Sequence, residues 1–84
     1  MDTTEPVITP ETARHVLFMF GRPGGQQPGR FTQHLMAAIE CADLVNASLL
    51  VEVYPELVAA VRLAKYHDGG IDQLKAIASG KAAA

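Results

Sequence analysis

The sequence predicts an all-α fold, a compact bundle of four to five short helices with a glycine- and proline-rich loop between the first two. Three observations carry that expectation. Apolar residues recur at spacings of three and four along successive segments, which lines them up on one side of a helix. A proline followed by an acid occurs at Pro10-Glu11 and again at Pro55-Glu56. Proline suits the first helical position, and an acid beside it faces the positive end of the helix dipole. The only stretch with strand character, Leu49 to Tyr54, has no second strand anywhere in the chain to pair with.

Taken in order, residues 1–8 read as a flexible tail, 9–79 as a single helical domain and 80–84 as a frayed end. Thr9 caps the first helix, and Ala13, Val16, Leu17 and Phe20 form its stripe up to Gly21. The second helix starts near Pro28 or Gly29 and runs to about residue 42, with Phe31, Leu35, Ala38, Ile39 and Ala42 at helical spacing. Asp43 caps a third helix, in which Leu49, Leu50 and Val53 fit the same period. Pro55 opens a fourth, striped by Leu57, Val58, Val61 and Ala64. Gly69-Gly70 ends it with a left-handed cap. A last short helix carries Ile71, Leu74, Ile77 and Ala78 and stops at Ser79-Gly80.

Composition narrows the function. A chain of 84 residues is one domain with little stability to spare. Only 19% of its residues are charged, which leaves a surface suited to partner contact or self-association. The net charge is −2, and the seven cations are spread along the chain, so a nucleic-acid partner is not expected. A single cysteine, Cys41, excludes an internal disulfide framework and fits a reducing compartment. MDTTEPVITP lacks the basic start of a secretory signal, and no apolar run reaches the length of a membrane span. A cytoplasmic protein with no membrane partner is the expectation.

The segment GRPGGQQPGRFT, residues 21–32, invites comparison with a phosphate loop. The spacing of Gly24 and Gly29 fits, but Arg30 stands where lysine belongs and Phe31 where a magnesium-binding hydroxyl belongs. A helix, not a strand, precedes it, and proline removes one of the cradling N–H groups. The simpler expectation is a stiff connection whose glycines turn the chain and whose prolines restrict it. A weaker alternative lets Arg22 and Arg30 flank an anion at the start of the second helix.

Other constellations predict no catalytic, cofactor or metal site. His34 and Cys41 are seven residues apart on one helix, about 10 Å along its axis, with alanines between them. Ser48 and Ser79 have no neighbouring histidine. A helix-turn-helix reading places Arg62 and Lys65 on the recognition helix, with Arg30 as a further cation. Bases are contacted mainly from the N-terminal end of such a helix, and here that end carries Glu52 and Glu56.

Five apolar residues fall outside the helical stripes: Phe18, Met19, Val51, Tyr54 and Leu63. Either an irregular bundle covers these residues or, the expectation taken here because five short helices cannot be covered on every side, some of them form a patch for another chain. Phe18, Met19 and Tyr54 are the expected apolar part of that surface, and Arg22 and Arg30 the polar part.

The order Phe20-Gly21, Gly24-Gly25, Pro28-Gly29, Phe31-Thr32, Leu35, then Ala42-Asp43, Tyr54 to Val61 and Gly70-Ile71 through Leu74 to Ile77 resembles small helical proteins of actinobacteriophages and their actinobacterial hosts. The likeness covers about residues 13–78 and is one of overall pattern. It implies a phage-encoded accessory protein, found in the host cytoplasm or the virion, and transfers no activity. The reading is a non-enzymatic interaction protein whose partner is itself or a host or virion protein. The alternative is a small DNA-binding regulator of helix-turn-helix type.

Overall fold

Each helix begins where local chemistry stops the extended chain. The computed structural model of the protein describes residues 7–80. Within them the chain forms five helices and no strand: α1 (Pro10–Met19), α2 (Arg30–Cys41), α3 (Leu44–Val53), α4 (Pro55–Tyr66) and α5 (Gly70–Ala78). The remaining residues of the two expected tails, 1–6 and 81–84, lie outside the described residues. Ile8, which the sequence assigns to the first tail, packs partly buried against the core.

Thr9 and Asp43 act as true N-caps, their side chains accepting the Thr12 and Asn46 N–H groups. Pro10 and Pro55 occupy first positions, where the missing N–H costs nothing. Tyr54 ends α3 and starts α4 at once: its N–H donates to the Leu50 carbonyl at 2.7 Å and its own carbonyl accepts from Val58 N–H at 3.0 Å. This one-residue corner folds α3 back on α4. Helix α4 ends at Tyr66 with extended His67 as its C-cap, and Gly69, expected to end α4, instead caps the start of α5 in the left-handed conformation (φ +75°) that a side chain would resist. Gly70 then opens α5 and is buried against α4: a Cβ there would overlap the Leu63 carbonyl.

Helix α4 lies at the centre, packed against α1, α2, α3 and α5, while α1 and α5 make the most extensive helix pair. The core is filled by Val16 and Leu17 of α1, Met36 of α2, Val58 and Val61 of α4 and Leu74 of α5. Among the described residues no buried polar side-chain atom lacks a hydrogen-bond partner. The molecule measures 34 × 32 × 23 Å, so its thickness is that of about two helices. A body that thin has one interior layer, and α3 contributes no buried residue to it.

The expected stripes of α1, α4 and α5 supply core residues as predicted, with Ala60 joining α4's buried set. That of α2 is turned. Met36 and Ile39 are buried and Leu35 partly so, whereas Phe31 and Ala38 are exposed. Helical spacing admits either set, and Met36, with its flexible thioether, is the one that joins the core where α2 packs on α4 and α1.

Candidate interaction surface

Helix α3 reads LVNASLLVEV, with apolar side chains on every side and three polar residues scattered among them. Ala47 and Leu50 are half-buried, and both line a groove wall shared with α4. Val45, Leu49 and Val53, each four residues apart, form a row on the side turned from α4. Leu44 is 87% exposed, Val45 69%, Val53 67% and Leu49 58%. With Val51, these make five of the nine large apolar residues that are exposed among the described residues.

A groove of about 260 Å³ between α3 and α4 is lined by Ile39, Leu44, Ala47, Val58, Arg62 and Tyr66. A second, of about 490 Å³, lies between α3 and the end of α2, against Ala38, Cys41, Asn46 and Leu49. Helix α3 is therefore an apolar ridge between two grooves. Its only charge is Glu52, in the last turn, where the negative end of the dipole disfavours an acid.

Two polar links fix the framework around this ridge. The Lys65 ammonium donates to the Glu40 carbonyl at 2.6 Å and lies 3.0 Å from the Glu40 carboxylate. It gives α2 the cation that its own last turn lacks. Its hydrogen bonding to Glu40 holds the ammonium above its ordinary pKa. At the far end of α4, Glu56 accepts the N–H and hydroxyl of Thr9, both at 2.8 Å. Partial burial pushes the Glu56 carboxyl up, but those two donors and the Thr12 hydroxyl outweigh it and bring the pKa below its ordinary value.

The residues singled out by sequence fall into two groups. Phe18 is 41% exposed at the end of α1, and Met19 beside it packs partly buried on the core. Tyr54 is half-buried at the α3–α4 corner, its ring 6.4 Å from that of the exposed Phe31, next to exposed Arg30. Arg22 is exposed in the loop after α1. Val51 is exposed on α3, while Leu63 packs against the core. Leu44, Val45, Leu49 and Val53 were not separable by helical spacing. The signal that marks them is a ten-residue helix with one charge and seven apolar residues.

The glycine loop is folded onto α1. Arg22 N–H donates to the Leu17 carbonyl, Gly25 N–H to that of Arg22 and Gln26 N–H to that of Arg14. A Cβ on Gly25 would overlap the backbone of Phe18, so only glycine allows this approach. Pro28 is buried and its carbonyl accepts from the Gln33 amide at 2.9 Å. Three N–H groups of the loop, those of Arg22, Gly25 and Gln26, are thus bonded within the chain, which ties the segment to α1 as a connection.

Helix α4, the recognition helix of a helix-turn-helix reading, is covered by four other helices and leaves Arg62, Lys65 and Tyr66 exposed at its C-terminal end. His34 and Cys41 are both exposed. Among the described residues no three histidine, cysteine or acidic side chains come together as a metal site would require, and no helix is long and apolar enough to cross a membrane. The chain matches no family model, no curated protein and no solved structure.

Proposed function

We propose that the chain is a non-enzymatic interaction protein that docks another protein surface through the exposed face of α3. One observation carries this: of the seven apolar residues of α3, five are exposed and none is fully buried, only Ala47 and Leu50 being half-buried. Apolar faces of this extent, rimmed by polar groups, mark sites of protein contact. The pattern-level likeness to actinobacteriophage proteins supports an accessory role, with a second copy, a host protein or a virion protein as partner. That role belongs in the host cytoplasm or on the virion. Central placement of α4 and engagement of Lys65 by Glu40 give a DNA-reading role less support.

The test is a photo-crosslinking amino acid placed at Val45 or Leu49 in the expressing cell, with exposed Asp72 of α5 as the control position. Discrete protein adducts are expected from both α3 positions and none from position 72. Absence of adducts from both α3 positions would overturn the reading.

A further inference from the structure

We propose that the partner of α3 is a second copy of this chain, joined by antiparallel packing of the two α3 helices about a two-fold axis near Ser48 and Leu49. The proposal rests on the reading of α3 as a docking face and goes further by naming what covers it. Three features of the face point to a second copy.

The first is shape. A two-fold interface uses the same patch on both partners, so that patch must hold both the projecting and the receiving parts. Here the ridge of Val45, Leu49 and Val53 stands between two grooves, one against α4 and one against α2. The ridge of one copy can lie in a groove of the other, which is how helices pack generally.

The second is charge. Glu52 sits at the negative end of its own helix, and Arg62 lines the α3–α4 groove beside Asp43 and Leu44, at the opposite end of α3. Antiparallel pairing brings Glu52 of each copy to the N-terminal end of its partner's α3. The acid then meets the Arg62 guanidinium of the second chain, which lines the groove beside the Asp43 carboxylate that caps that helix end. Parallel pairing would instead set the two Glu52 carboxylates against each other.

The third is area. Leu44, Val45, Leu49 and Val53 present on the order of 500 Å², the larger part of the roughly 800 Å² per partner of a standard stable interface.

The experiment is light scattering and sedimentation equilibrium on the full chain from about 1 μM to about 1 mM. The mass is expected to rise with concentration from that of one chain to that of two, and no further. Leu49→Lys should weaken the dimer by tenfold or more, with an unchanged helical circular dichroism spectrum. Glu52→Arg and Arg62→Glu should each weaken it, and the double variant should recover most of the loss. That rescue requires the antiparallel contact and does not depend on the fate of Leu49→Lys.

A chain that stays monomeric across the range overturns the proposal, as does a dimer indifferent to Leu49→Lys. A dimer that the double exchange fails to rescue overturns the antiparallel arrangement. If the α3 photo-adducts contain a different protein while the isolated chain is monomeric, the second-copy proposal fails and the docking role of α3 stands.

Discussion

Helices α3 and α5 are nearly equal in length, yet they meet the rest of the molecule in opposite ways. Helix α5 (GIDQLKAIA) buries Gly70, Leu74 and Ala78 against α1 and α4. Helix α3 is the more apolar of the two, yet it fully buries no residue and only half-buries Ala47 and Leu50. The difference is contrast between faces. In α5 the residues Ile71, Leu74, Ile77 and Ala78 share a side, and Asp72, Gln73 and Lys75 are exposed. In α3 the orientation that keeps Asn46, Ser48 and Glu52 in solvent turns only Ala47 and Leu50 inward, and Leu44, Val45, Leu49, Val51 and Val53 stay exposed around the rest of the axis. A helix docks by the segregation of its apolar residues rather than by their number. What α5 does within the chain, α3 is left to do with another.

The largest effect that would break this contrast lies in the packed half. Leu74 is fully buried between α1 and α4. Leu74→Ala should cost about 2–5 kcal/mol, from lost transfer energy and the cavity left behind. Urea unfolding at low protein concentration measures it. A cost below about 1 kcal/mol would mean that α5 is no better anchored than α3.

An intermediate effect sharpens the comparison at the helix starts. Asp43 caps only its own helix, α3, whereas Glu56 reaches from α4 to hold the cap of α1. Glu56→Gln keeps an acceptor but removes the charge, and should cost about 1 kcal/mol at pH 7. The Glu56 carboxyl titrates below its ordinary 4.5 in the folded chain, so its contribution is full above that value and fades as pH falls through the folded value. Wild type and variant should therefore differ at pH 7 and converge once the pH has fallen below the folded value. Equal unfolding midpoints at both pH values would show that Glu56 does not tie the two helices together.

These contrasts explain which parts of the fold were legible in the residues alone. Helix starts are local chemistry, and Thr9-Pro10, Asp43 and Pro55 announce them wherever the rest of the chain lies. The stripes of α1, α4 and α5 could be read because polar and apolar residues are segregated there. In α2 two sets of positions fit the period, and only the neighbouring helix α4 selects Met36 over Phe31. The site was legible in kind but not in place. A surplus of apolar side chains is visible from composition. Yet Met19 lies off its stripe and still packs on the core, while Leu49 and Val53 fit a stripe and remain in solvent. Thickness decides this: a body 23 Å thick has no second layer to cover α3, and no local pattern encodes that dimension.

The smallest expected effect is the most discriminating for α3. Leu49 keeps 58% of its surface in solvent and is not fully enclosed by its own chain, so Leu49→Ser opens no core cavity and should change monomer stability by no more than about 1 kcal/mol, the lower helix propensity of serine included. It must be measured by urea unfolding at a concentration where the chain is monomeric, because association would add its own stabilisation to the wild type alone. A loss above about 1.5 kcal/mol at that dilution would mean that Leu49 packs within its own chain. A difference that is absent when dilute and grows with concentration would place the missing burial between chains, where α3's five exposed apolar residues lead it to be.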